Sequence, residues 1–250
     1  MDLVVDDVHP GTDECTWLGS GRLRTLRQLC VALPRRLVVV APHPDDEVLG
    51  AGGLMQWLHH LGVEIAIVTV TDGEGSHPDA ESLGVDIAST RAKESAVALE
   101  RLGCEPAATI RLGFPDGAVA TETPRLVDVL SDLLGPDDLC LTPWRADGHP
   151  DHDATGAGTL AAAAVTNTPV LEYLVWAWHW AAPDSSAVPW SRCRRLDLGR
   201  REVARKRWAT YAFTSQIAPR RSELGGGPVL ADPILRRFWR PFEVFIGADG

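Results

Sequence analysis

The sequence has no apolar run approaching the roughly 20 residues that a membrane-spanning helix needs. Its opening stretch, Met1-Asp2-Leu3-Val4-Val5-Asp6-Asp7, lacks the basic start and apolar segment of a secretory signal. Basic residues are in deficit, 24 Lys and Arg against 34 Asp and Glu, for a formal net charge of −10. That balance argues against a nucleic-acid groove or an anionic membrane as partner, and its plain consequence is solubility. Cysteine is scarce and scattered: Cys15, Cys30, Cys104, Cys140 and Cys193 form no CxxC pair. A disulfide framework is not expected from such a set, whereas buried free thiols in a reducing compartment are. Internal repeats and low-complexity tracts are also missing. What remains is a cytoplasmic globular protein whose 250 residues suit one large domain or a domain with an appendage.

The strongest pattern begins at Leu37. Leu37-Val38-Val39-Val40-Ala41 reads as a fully buried strand that ends in Pro42-His43-Pro44-Asp45-Asp46-Glu47. Helical spacing then runs from Val48 to Leu61 and stops at Gly62. A second strand, Val63 to Thr71, is followed by a polar loop from Asp72 to Asp86 that contains Gly73, Gly75, Pro78 and Gly84. Ile87 to Leu102 is a helix stopped by Gly103, and Ala107 to Leu112 a short strand. A helix opened by Thr123-Pro124 precedes the strand Leu139 to Thr142 and the turn Asp147-Gly148-His149-Pro150-Asp151-His152. A small-residue helix, Ala154 to Val165, and a strand, Val170 to Trp178, complete the alternation.

Strands alternating with helices of this length imply βαβ units, and hence a Rossmann-like, doubly wound, mostly parallel α/β sheet. The chain divides by pattern into an N-terminal extension, 1–36, a catalytic core, 37–180, and a C-terminal subdomain or lid, 181–250. Leu18, Leu23, Leu26, Leu29 and Val31 suggest an amphipathic helix in the extension, which covers the core and leaves homo-oligomerisation open. The last part should hold a basic helix from Arg200 to Tyr211, a glycine-rich loop Gly225-Gly226-Gly227-Pro228, and a closing strand Phe242 to Ile246.

Three adjacent carboxylates repel one another, so a fold keeps Asp45, Asp46 and Glu47 together only with a helix terminus or a cation to offset them. In strand order 3-2-1-4-5 the first and fourth strands are neighbours, and ligands bind beyond their carboxyl ends. Topology alone therefore brings the His43–Glu47 turn against the Asp147–His152 turn. Two histidines and a carboxylate make a three-ligand zinc set with a fourth position open, and the remaining acids and histidine can supply a base and an acid for hydrolysis. Gly50-Ala51-Gly52-Gly53 imitates a dinucleotide motif, but carboxylates fill the turn where phosphate would sit, so these glycines serve helix–sheet packing. Trp176, Trp178 and Trp180 would share one face of a strand; core packing is the expected role, with a sugar-stacking platform as the alternative. Trp144 is the tryptophan expected nearer substrate. Arg192, Arg194, Arg195, Arg200, Arg201, Arg205, Lys206 and Arg207 read as a solvated helix face, with anion binding as the alternative.

Ala41-Pro42-His43-Pro44-Asp45-Asp46-Glu47 together with Gly148-His149-Pro150-Asp151-His152 closely resembles the LmbE-like, or PIG-L, family of zinc-dependent N-deacetylases. The resemblance extends through Thr71–Gly75, Arg91–Glu94, Gly113–Gly117 and Tyr211–Gln216, roughly residues 37 to 220. It implies that His43, Asp46 and His152 ligate zinc and that Asp45 is the general base. It implies further that His149, oriented by Asp151, stabilises the oxyanion and protonates the amine, and that Arg91 and Asp116 hold sugar hydroxyls. A neighbouring acid such as Asp151 would keep His149 charged near neutrality. Glu74 is a further substrate-side candidate. The expected activity is removal of an N-acyl group, acetyl first, from an amino sugar or sugar-bearing small molecule. A thiol-conjugate or other non-sugar amide, and a non-catalytic metal-containing binding module, stay open as alternatives. Iron, nickel and cobalt suit the same donor set as zinc.

Overall fold

After a short helix, α1 (Glu14–Gly19), and a two-residue strand, β1 (Arg27–Gln28), the chain enters the alternating region. This comprises β2 (Arg36–Ala41), α2 (Asp46–His60), β3 (Glu64–Thr71), α3 (Ile87–Leu102), β4 (Ala108–Phe114), α4 (Thr123–Leu133), β5 (Asp138–Pro143), α5 (Pro150–Thr166) and β6 (Val170–Tyr173). The remainder forms α6 (Ala177–Trp180), β7 (Cys193–Asp197), α7 (Arg200–Thr210), α8 (Thr214–Ile217), α9 (Asp232–Leu235) and β8 (Phe242–Ile246). These elements come from a computed structural model that describes residues 11–77, 80, 84–219 and 227–247. Met1–Asp7, Pro78 and Gly225-Gly226, singled out above, lie outside the described residues.

The strands make one mixed sheet in the order β1-β7-β8-β6-β5-β2-β3-β4. Within it β4-β3-β2-β5-β6 is the expected 3-2-1-4-5 order, parallel throughout. β8 runs antiparallel to both β6 and β7. Residues along β2 alternate between faces: Leu37 and Val39 pack with α2, α3 and α7, and Val38 and Val40 with α4 and α5. Both faces are covered, which is why the strand reads as an unbroken apolar run. In α2, 12 of 15 residues are buried, so this helix lies between the sheet and α7 rather than on the surface. A Cβ at Gly50 would overlap the Tyr173 ring, so only glycine allows α2 to come this close.

The sequence reading differs from the structure at three elements. The N-terminal helix stops at Gly19, because Gly21 turns left-handed (φ 77°) and the leucines after it run through a single helical turn into β1. Trp17 nevertheless docks this segment: it is buried, its indole N–H donates to Trp178 O at 3.0 Å, and Arg240 binds Glu14 at 2.6 Å. The strand predicted over Val170–Trp178 ends at Tyr173, since the Asp147 carboxylate captures the N–H groups of Val175, Trp176 and Ala177 and starts α6. β7 carries too much charge to show strand periodicity, a common property of strands near a sheet edge.

Candidate active site

β2 and β5 are neighbours, and the chain leaves them on opposite faces, through α2 and α5. Their carboxyl ends open a crevice, and both polar turns meet in it beneath a cleft of about 430 Å³. The first turn is pinned by Pro42, whose carbonyl accepts the N–H and hydroxyl of Thr71 at 2.9 and 3.0 Å. Asp45 then adopts φ 151°, ψ −29°, a conformation L residues avoid and one that costs about 1–3 kcal/mol. Neighbours over-determine it. Its N–H donates to Glu47 Oε2 at 3.0 Å, and Arg91 Nη2 donates to Asp45 Oδ2 and Pro44 O at 3.0 and 2.9 Å. Glu47 is held in turn by the Ser95 hydroxyl at 2.8 Å. Burial pushes the Asp45 carboxyl up to about 7, against the pull of the Arg91 guanidinium.

Asp46 moves the other way. Burial alone would raise its carboxyl, but His152 and His43 outweigh it and hold it well below the usual range. His43 Nδ1 and His152 Nε2 both lie 3.2 Å from one oxygen, Asp46 Oδ2. The outer nitrogens are each backed by carboxylate: His43 Nε2 by Asp116 Oδ1 (3.1 Å) and Asp151 Oδ2 (3.3 Å), His152 Nδ1 by Asp147 Oδ2 (2.9 Å). A neutral imidazole has one N–H. Given to the outer carboxylates, it leaves lone pairs at both inner nitrogens, facing a carboxylate oxygen. Buried His152 has no aligned hydrogen bond at either nitrogen. Once the inner protons are released, lone pairs of two imidazoles and a carboxylate converge, a donor set that suits a divalent cation, zinc and its neighbours. The three ligand atoms lie within 4.8 Å of one another, so the donor set fits a metal. A second grouping, His43 with His149 and Asp151, shares His43. There, however, Asp151 already accepts the N–H groups of Gly117 (2.7 Å) and Val119 (3.2 Å).

His149 caps α5, its Nδ1 accepting the Asp151 N–H at 3.2 Å while the Asp151 carboxylate turns toward His43. The expectation of a charged His149 is therefore corrected. Burial, ahead of the positive charges of His152 and His43, pushes the ring down to about 4, and Asp151 offsets this only in part. With Nδ1 accepting, the proton of the neutral ring sits on Nε2. Trp176 stacks on this histidine, ring centroids 6.1 Å apart and 20° from parallel.

Arg91 and Asp116 both line the cleft. Arg91 is buried and also donates to Gly73 O at 3.1 Å; a Cβ at Gly73 would overlap its guanidinium. Asp116 accepts the Gly75 N–H at 2.8 Å, and its own N–H donates to Glu74 Oε1 at 3.0 Å, so Glu74 braces the turn. Trp144 is not at the substrate side: it is buried against Trp180, and Trp176 is the tryptophan in the cleft. The basic cluster is no single solvated face either, since Lys206 is buried on Glu243 at 2.6 Å and Arg207 stacks over Trp239. Sequence reasoning missed Asp147 as a partner of His152, and missed Gln216, Val229 and Leu230 as cleft residues. An acid two positions before His149 was the available signal for the first. The Tyr211–Gln216 stretch was the signal for Gln216; Val229 and Leu230 had none, since the Leu230 N–H reaches Gln216 O (2.9 Å) only in the fold.

Compared with known proteins, residues 38–163, half of the chain, match the family model described as PIG-L: GlcNAc-PI de-N-acetylase. The chain belongs to this family. Among relatives of this PIG-L chain is the diacetylchitobiose deacetylase of Thermococcus kodakarensis, 27% identical over 137 residues, covering 54% of this chain and 51% of that one. Another is the 1D-myo-inositol 2-acetamido-2-deoxy-alpha-D-glucopyranoside deacetylase of Kineococcus radiotolerans, 38% identical over 104 residues, covering 40% and 27%. The chain thus spans about half the length, or less, of these curated relatives. The crystal structure of a conserved protein from Thermus thermophilus shares the fold, with a TM-score of 0.57 at 24% identity over 85% of this chain and 94% of that one. The PIG-L match holds His43 through His152, whereas Trp176, Gln216, Val229 and Leu230 lie beyond it. The matched residues therefore include both polar turns, and one wall of the cleft lies outside them.

Proposed function

We propose that this PIG-L protein is a metal-dependent N-deacetylase that hydrolyses the acetamide of an amino sugar or of a sugar-bearing small molecule. The observation that carries this reading is the convergence of the His43, Asp46 and His152 side chains beside a strained, buried Asp45. His43, Asp46 and His152 would hold the ion, zinc first, with iron, nickel and cobalt suited to the same donors. When bound, such an ion supplies Lewis-acid activation of the amide carbonyl and of water.

Asp45 is the base. A carboxyl raised to about 7 accepts a proton from the attacking water more readily than an ordinary aspartate, and Arg91 aims it. His149, on the cleft wall, offers its Nε2–H to the oxyanion that forms as the carbonyl is attacked. A neutral ring cannot give that proton up to the departing amine, so Asp45, protonated in the attack, delivers it, and the products are free amine and acetate. Asp116 takes sugar hydroxyls. Arg91 is committed to Asp45, Pro44 and Gly73, so its part is to hold the base. Trp176 gives a sugar ring a face to stack on.

The test is acetate release by zinc-loaded protein from N,N′-diacetylchitobiose, N-acetylglucosamine glycosides and a non-sugar acetamide, with Asp45→Asn in parallel. We expect acetate and free amine in equal amounts from sugar substrates, and a loss of about 10²–10⁴-fold in Asp45→Asn with zinc binding retained. No acetate from any sugar in the panel, or an Asp45→Asn variant as fast as wild type, would sink the reading.

A further inference from the structure

We propose that Asp147 is a positioning residue that sets the tautomer of His152 and, through the same carboxylate, holds the wall of the cleft. The inference rests on the metal reading of His43, Asp46 and His152. Asp147 is fully buried. Its Oδ1 accepts the N–H groups of Val175 and Ala177, both at 3.0 Å, and its Oδ2 accepts that of Trp176 at 2.8 Å. The same Oδ2 lies 2.9 Å from His152 Nδ1. That contact is short but off the line of an aligned hydrogen bond, since Nδ1 meets no partner with correct geometry. Its shortness is what decides the tautomer. A lone pair on Nδ1 would face a carboxylate oxygen with nothing between them, so in the metal-loaded protein the proton sits on Nδ1 and the lone pair on Nε2. Nε2 is the atom that faces Asp46.

The three amides belong to the segment that carries Trp176 to its stack on His149. The Asp147 carbonyl adds a fourth tie, accepting the Trp180 indole N–H at 2.6 Å. One residue thereby links a ligand histidine to the wall that meets substrate. Carboxylates on the outer nitrogen of a ligating histidine fix its tautomer and raise its basicity. Here the same group also terminates β6 and opens α6.

Asparagine is the informative substitution, because it keeps the size and reverses one polarity. Its oxygen can retain the Val175 and Ala177 amides, but its NH₂ then faces His152 Nδ1 and gives up the Trp176 amide. Donor against donor is relieved only if Nδ1 accepts, which moves the ring proton to Nε2 and removes the lone pair from the site. The experiment measures zinc affinity of the full chain by chelator competition, for wild type and Asp147→Asn, together with ¹⁵N-resolved NMR of the ring N–H signals. We expect wild-type His152 to carry its ring proton on Nδ1 in the zinc-loaded protein, and Asp147→Asn to bind zinc about 10–100-fold more weakly. Wild-type zinc affinity in Asp147→Asn overturns the inference, as does a wild-type ring proton on Nε2. Wild-type protein that binds no zinc overturns the metal reading and this inference with it. If Asp147→Asn loses its cooperative unfolding transition, the wild-type ring assignment decides the matter unaided.

Discussion

Charge is buried at two places along α2, at its first turn and near its middle, and the two are organised differently. Near the middle, Glu243 accepts the N–H groups of Gly53 (2.6 Å) and Leu54 (2.9 Å) and the Lys206 ammonium (2.6 Å). Every charge there has an opposite charge or a donor from the chain itself. Arg240, bound bidentately by Glu14 at 2.8 and 2.6 Å and stacked over Trp178, follows the same rule. At the first turn, two ring nitrogens meet one Asp46 oxygen, and loss of their inner protons leaves acceptors facing acceptors. A buried pair closed within the chain serves the fold, whereas converging lone pairs await something from solution. On the proposed metal reading, this difference separates structural from functional buried charge.

The comparison breaks most visibly if metal removal has no effect. Chelation should take acetate release to background, and added zinc should restore it. Zinc at a hundredfold its Kd should raise the unfolding free energy by about 2.7 kcal/mol, read by denaturant titration. The opposite signature belongs to the middle of α2. Lys206→Met strands the Glu243 carboxylate and should cost about 3–5 kcal/mol of stability, while zinc affinity of the folded protein stays unchanged. If that variant weakens zinc binding instead, the two regions are not independent.

A change between them in size concerns the base. Arg91 pulls the Asp45 carboxyl down against burial, so Arg91→Met should raise it above about 7. A base works only when ionised, so the acid limb of the pH–rate profile should move to higher pH and activity at pH 7 should fall. An unmoved limb would detach Arg91 from Asp45. The smallest expected effect is at the wall: Trp176→Ala should raise KM for sugar substrates by a stacking contribution of about 0.5–1.5 kcal/mol and change kcat less.

Much of this was legible in the chain. The apolar run Leu37–Ala41, the helix Ile87–Leu102 and the strand Phe242–Ile246 appear where periodicity puts them, because a strand covered on both faces or a capped amphipathic helix is a local pattern. The two polar turns could be brought together from strand order alone, since a doubly wound sheet has one crevice at its switch point. The failures were long-range. Asp147 ends β6 through amides 28 to 30 residues away, and Glu14 finds Arg240 across 226 residues; no local window contains either partner.

The residue types able to hold a cation, the alternation of strands and helices and the carboxylates crowded beside His43 are all properties of short stretches, so the sequence alone determined them. Tertiary structure decided that His149 is neutral, that Trp176 rather than Trp144 meets the cleft, and that Asp147 backs His152. Each of those depends on burial and on partners brought in from distant segments, and desolvation is a property of the assembled fold, not of the chain's local pattern.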